Sequence, residues 1–224
     1  MSDIKTNRSK VRTRGKRAGL DLHQIVEAAR SLDANMLSMQ SLADFLNVDR
    51  KALNYHVKDR QTLLNLVAKD MFSCRFSSNG IAKSKNWQDA CRLYAMDLVD
   101  GLTALDGLAE HFNESLASWG LEPTEALFGW LGKAGFKDDV AVRLVAMLVT
   151  LCMGFARDAI QVKNSADRPR PRTLRAALAN VDVSKFENLA RIADLEVDTY
   201  NRKQMEFNLE IFLLGANAIL QPEV

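Results

Sequence analysis

Ser38-Met39-Gln40-Ser41-Leu42-Ala43-Asp44-Phe45-Leu46-Asn47-Val48-Asp49-Arg50-Lys51-Ala52-Leu53-Asn54-Tyr55-His56 is the stretch whose reading decides the fold. It reads as two short helices joined by a tight turn. Leu42, Ala43 and Leu46 share one face of the first helix, and Ala52, Leu53 and, one turn on, Val57 share one face of the second. Asn47 is one of the few non-glycine residues that tolerate the left-handed backbone at which a helix stops sharply. Val48, apolar in a polar turn, is placed to plug the angle between the helices. Asp49 is placed to accept from the free N–H groups of the second helix. What remains exposed on that helix is Arg50, Lys51, Asn54, Tyr55 and His56, a set that can donate to phosphates and read base edges. This is the pattern of a helix-turn-helix, and it makes double-stranded DNA the first partner to consider.

The charge distribution agrees. Residues 1–77 hold 14 Lys+Arg against 8 Asp+Glu, net +6, whereas residues 78–224 hold 16 against 20, net −4. A basic end on an acidic remainder is the asymmetry expected when one end touches nucleic acid and the other does not. Much of the excess lies in residues 1–19, where Lys5, Arg8, Lys10, Arg12, Arg14, Lys16 and Arg17 stand among Ser, Thr, Asn and Gly. So little of this can be buried that it reads as a disordered basic arm ahead of the motif. Arg12 and Arg14 are its candidate contacts to the DNA backbone or a minor groove. A solubilising tail is the plainer alternative.

Outward from the motif the chain reads as helix throughout. Asp21 caps a first helix running to about Ala34, with Leu22, Ile25, Val26, Ala29 and Leu32 at helical spacing. Asp59 caps a long helix through Leu63, Leu64, Val67, Met71 and Phe72. The free N–H groups at its start, beside Lys58 and Arg60, suit a phosphate. Ser77-Ser78-Asn79-Gly80 breaks the pattern and is taken as the boundary between a DNA-binding domain, 20–77, and a second domain, 78–224. The second domain reads as helices over 87–105, a shorter piece from Gly107, 124–134, an almost wholly apolar 138–160, short helices near 173–179 and 184–192, and 198–220. A polar, proline-bearing loop is expected over 163–171. The fold class is therefore all-α: a three-helix head joined by a long helix to a larger helical domain.

Other functions find little support. There is no GxSxG, P-loop, GxGxxG or HExxH, so neither enzyme nor cofactor is expected. Asp138-Asp139 reads as charge at a helix start and Asp97/Asp100 as a solvated helix face. Cys74, Cys91 and Cys152 are too scattered for a disulfide framework or a zinc site and read as buried small hydrophobes. The amino-terminal stretch has no apolar core of a signal peptide, and no membrane span stands out, so a cytoplasmic location is expected. A dimeric helical scaffold without specific DNA binding, or a small-ligand enzyme, are the alternatives. The basic arm and recognition face speak against both.

The run Leu37-Ser38-Met39-Gln40-Ser41-Leu42-Ala43, then Leu46-Asn47-Val48, then Ala52-Leu53-Asn54-Tyr55-His56-Val57-Lys58-Asp59-Arg60-Gln61-Thr62-Leu63-Leu64 resembles the DNA-binding head of TetR-family transcriptional regulators. A weaker likeness to the tetracycline-repressor-type effector domain rests on Ala134-Gly135-Phe136 and on Phe207-Asn208-Leu209-Glu210 with Gly215. Three positions depart from the family pattern: Asn47 stands where Gly is usual, Asn54 where an aromatic Tyr is usual, and Arg60 where Lys is usual. The resemblance implies a homodimer whose recognition helices enter successive major grooves, roughly 34–36 Å apart. It also implies a four-helix interface from the helix around 138–160 and the last helix of each subunit, and release of DNA by a small-molecule effector. Ala146, Gly154, Gly215, Ala216 and Ala218 are small enough for close helix approach there.

Within that frame Arg50 is the candidate reader of guanine, Asn54 can pair with an adenine edge, and Tyr55 and His56 complete the face. Lys51, Lys58 and Arg60 are assigned to phosphates, with Gln40 and Ser41 as further backbone contacts. The candidate effector contacts are Met96, His111, Phe112, Trp119, Phe128, Trp130, Met147 and Leu151, with Met153 as a further apolar neighbour. His111 is the polar group suited to orienting a ligand.

Overall fold

The structure, a computed structural model, describes residues 20–33, 36–105, 108, 120–163, 169–195 and 197–220, the side chains of 169–172 excepted. Every regular element among them is helical. The chain divides into two compact units, residues 1–63 and 64–224.

The first unit is built from α1 (Leu22–Arg30), α2 (Met39–Leu46), α3 (Arg50–His56) and the start of α4 (Arg60–Ser73). Its sequence signals act locally. The Asp21 carboxylate accepts from Gln24 N–H at 2.8 Å and the Gln24 side chain accepts from Asp21 N–H at 3.2 Å, a reciprocal capping box. Ser38 and Ser41 repeat the device for α2, at 3.0 and 2.9 Å. Asn47 ends α2 at φ 52°, and Val48 N–H reaches back to the Ala43 carbonyl at 3.0 Å. Asp49 then accepts from Lys51 N–H and Asp59 from Thr62 N–H, each at 2.8 Å. The Thr62 N–H holds the Asp59 carboxyl below the usual carboxylate range. Ile25, Ala29, Leu37, Leu42, Ala43, Leu53, Val57 and Leu63 form the core. Two expectations are corrected. Helix α1 stops at Arg30 rather than running to Ala34, because Ser31 closes it. Ala52 is exposed, so α3 anchors itself through Leu53 and Val57 alone.

The second unit begins within α4, ahead of the Ser77–Gly80 stretch read as the boundary. That stretch opens a short helix, α5 (Ser78–Ala82), with Ile81 fully buried. Then come α6 (Trp87–Ala104), α7 (Leu121–Ala134), α8 (Asp138–Lys163), α9 (Pro169–Leu178), a single 3-10 turn (Val183–Lys185), α10 (Glu187–Ala193) and α11 (Arg202–Leu220). Helix α6 is central: it packs against α5, α7 and α8. Its face Ala90, Cys91, Tyr94, Ala95, Leu98 is buried, as the spacing predicts. Gly101 continues that face because a β-carbon there would lie 3.0 Å from the Phe72 ring. The polar side of α6 faces α11 through Arg92–Glu210 at 2.7 Å and Asp100–Arg202 at 3.8 Å.

Helix α7 starts earlier than read, at Leu121, and ends on Gly135 at φ 98°. Helix α9 begins at Pro169, inside the stretch read as loop, with proline in the first turn where its missing N–H costs nothing. Cys91 and Cys152 are buried, and burial pushes both thiols up to about 12. Cys74 is exposed, against expectation.

Helix α8 is the one candidate for a membrane span among the described residues, long and apolar enough by length and composition alone; no other described helix is. Only a third of its most apolar window is buried. Ala141, Leu144, Val145, Leu148, Cys152 and Ala156 face inward, whereas Val142, Met147 and Met153 are exposed. Helix α11, packed on α8, buries Met205, Leu209, Phe212, Leu213 and Ala216 and exposes Phe207, Ile211, Leu214 and Ile219. Added β-carbons at Gly154 and Gly215 would meet no atom within 4 Å. Ala216 lies inside the subunit and does not belong to this outer face, unlike Ala146 and Ala218.

Candidate nucleic-acid interface and effector cavity

Helix α3 presents Arg50, Lys51, Asn54, Tyr55 and His56 to solvent, with Tyr55 88% exposed. Leu53 and Val57 point the other way and are buried, so core packing itself orients the reading face. Arg50 and Asn54 make no side-chain hydrogen bond or ion pair to another described residue, which leaves their donors available to a partner. The Tyr55 and His56 rings meet edge-on, centroids 5.4 Å apart.

The flanking candidates have a different character. Arg60 is committed to the fold through Nε, which donates to the Leu37 carbonyl at 2.7 Å and ties the start of α4 to the entry of α2. Ser41 Oγ bonds to Ser38 and to the Met36 carbonyl, so its hydroxyl belongs to the capping network. Gln40 is exposed and its amide donates to Asp44 at 2.8 Å. Lys58 is exposed beside the first turn of α4. Arg12 and Arg14 lie outside the described residues.

Of the effector candidates, His111, Phe112 and Trp119 lie outside the described residues. Met96 and Phe128 are half-buried. The half-buried Trp130 donates its indole N–H to the Ile81 carbonyl at 2.8 Å and carries Lys133 over its ring at 5.0 Å, which pins α7 to α5. Met147 is exposed on the outer face of α8. Leu151 borders an open, polar cleft with Thr150, Arg157, Asp158, Gln204 and Asn208.

A separate cavity of about 220 Å³ is lined by Phe76, Tyr94, Leu98, Gly120, Thr124, Val145 and Val149. None of the effector candidates that lie within the described residues is among them. Tyr94 and Thr124 bond to each other through their hydroxyls at 3.1 Å. Burial pushes the Tyr94 phenol up, so it is the neutral form that faces the site. Phe76 packs edge-on against Tyr94 at 5.0 Å and against Phe72 of α4 at 5.3 Å. Among the described residues no cluster of His, Cys, Asp and Glu is arranged to hold a metal. Helical periodicity marks Tyr94, Leu98, Val145 and Val149 only as core. What would single them out is the register between α6, α7 and α8.

With this geometry the chain can be set beside known proteins. No protein-family model matches it. It is 23% identical over 142 residues to the class E tetracycline repressor of Escherichia coli, spanning 61% of this chain and 67% of that protein. The structure superposes on the Streptomyces coelicolor TetR family protein ActR, in complex with actinorhodin, with a TM-score of 0.69 at 23% identity, covering 92% of this chain and 99% of that one. A TetR-type transcriptional regulator of the same organism gives 0.70 at 22% identity, over 90% and 100%. TetR of Acinetobacter baumannii gives 0.58 at 15%, over 90% and 99%. The chain therefore has the all-α TetR-family fold along most of its length.

Proposed function

We propose that the protein is a TetR-type transcriptional regulator, a repressor that binds a palindromic operator as a homodimer in the cytoplasm and leaves it when a small molecule occupies the carboxy-terminal unit. The observation that carries this is the α2–α3 unit: a left-handed Asn47 turn, a buried Leu53 behind, and an exposed Arg50, Lys51, Asn54, Tyr55, His56 face in front. Arg50 and Asn54 read bases. Lys51, Lys58, Gln40, the His56 ring and the arm residues Arg12 and Arg14 meet the backbone, which positions the protein without selecting sequence. Arg60 and Ser41 contribute chiefly by holding the α2 and α4 starts in register.

What supports the dimer is the outer sides of α8 and α11, where Val142, Met147, Met153, Phe207, Ile211 and Leu214 are exposed large apolar residues. Two copies of this helix pair bury them as a four-helix bundle, with the open space at Gly154 and Gly215 admitting the partner's helices. Effector control is a population shift: the ligand binds one head spacing better than the other.

Selection of bound DNA from a random pool tests this reading, followed by gel shifts over a salt series. A single palindromic motif with a steep salt slope is expected. Binding no better than to random DNA at moderate salt would sink it.

A further inference from the structure

The cavity among α6, α7 and α8 has a chemistry of its own. We propose that it takes a compact, uncharged, largely apolar ligand that offers one hydrogen-bond acceptor to the Tyr94–Thr124 hydroxyl pair. The inference rests on the regulator reading for its purpose, since it makes this cavity the effector site, and on the lining residues for its chemistry.

Size comes first. The cavity holds about 220 Å³ and is partly open to solvent, so a ligand has both room and a way in. An apolar cavity of about 150 Å³ is enough for benzene, and drug-sized pockets start at about 300 Å³. One or two fused rings is the class that fits. Charge comes second. None of the described lining residues is ionic, so among them a charged ligand would lose its hydration with nothing to replace it. Polarity comes third. Two hydroxyls that bond to each other consume one of their two protons, so the Tyr94–Thr124 pair keeps one O–H to donate whichever way the shared bond runs. An acceptor oxygen on the ligand completes the pair, and a ligand without one covers that donor without satisfying it. The Phe76 wall is the point at which occupancy is felt elsewhere. Its ring stacks between Tyr94 and the fully buried Phe72, the last aromatic residue of α4, so a ligand that displaces Phe76 presses on that helix.

The test uses the full-length protein and three probes of one shape: 1-naphthol, naphthalene and 1-naphthoate, titrated by calorimetry. Naphthol is expected to bind five- to tenfold more tightly than naphthalene, and naphthoate not measurably. Tyr94→Phe combined with Thr124→Val, which removes both hydroxyls, should cost naphthol about fivefold and leave naphthalene unchanged, a difference that a general loss of stability would not produce. Val149→Phe, which fills the cavity, should abolish both, with circular dichroism and melting confirming a folded protein. Failure of naphthol and naphthalene to bind, naphthoate binding as well as naphthol, or affinities indifferent to both variants would each overturn the proposal. The DNA selection is scored separately on unliganded protein. A clean operator motif without naphthol binding removes the ligand inference alone, and intact naphthol binding without any motif removes the regulator reading alone.

Discussion

The two units of this chain bear their candidate sites in opposite ways. In the amino-terminal unit the reading residues are convex and exposed: Arg50, Asn54 and Tyr55 stand on a seven-residue helix whose other side is Leu53 and Val57. In the carboxy-terminal unit the candidate site is concave, and Tyr94, Leu98, Val145 and Val149 would pass as core on their own helices. A convex site is a property of one short element and its caps. A concave one is a property of how several elements meet. The same contrast separates the roles of polar groups. On the outer face of α3 Arg50 and Asn54 are available to a partner, whereas Tyr94 and Thr124 are already half-satisfied by each other.

Several substitutions would break or sharpen this contrast. The largest effect is expected from Leu53→Ala, which empties a fully buried position behind the reading face and should cost about 2–5 kcal/mol. If the two units unfold independently, calorimetry will show one transition falling and the other unmoved; equal shifts of both would refute that independence. Next, Leu214→Glu puts a charge on the outer apolar face of α11, where Leu214 is 70% exposed. It should split the dimer in sedimentation while leaving the subunit melting temperature nearly unchanged. A variant still dimeric would place the interface elsewhere. Arg50→Ala should cost roughly 1–3 kcal/mol at one operator position and relax the selected motif there. An unchanged motif would remove Arg50 from base reading. Deleting residues 1–17 should weaken binding to all sequences alike and flatten the salt slope, with the motif intact. Unchanged affinity at low salt would make the arm a mere tail. The smallest effect belongs to Asn47→Gly, which relieves the left-handed turn and should stabilise the head by up to about 1 kcal/mol in chemical denaturation.

Arg60 shows a second role that the sequence does not disclose. Its charge and its place at the start of α4 read as a phosphate contact, and its Nε also goes to the Leu37 carbonyl, a partner 23 residues away. Ser41 reads as a contact to the DNA backbone and its hydroxyl also takes part in capping α2. Trp130 reads as a ligand wall and its indole N–H also bridges α7 to α5. For Arg60 and Trp130 the carbonyl served lies 23 and 49 residues away, so its need arises only when the elements are brought together, whereas the partners of Ser41 lie within five residues.

What the sequence determined by itself is everything governed by neighbours a few residues apart. The caps at Asp21, Ser38, Asp49 and Asp59, the left-handed Asn47, the buried stripe of α6 and the exposed face of α3 all follow from spacing, because a helix fixes which residues share a side. Tertiary structure alone decided which of the many apolar residues in the larger unit enclose empty space. Helical period distinguishes inside from outside but carries no information on the register between helices, and a cavity is a mismatch in that register. Phe76, Tyr94, Thr124, Val145 and Val149 become a site only because α6, α7 and α8 leave room between them that none of their side chains fills.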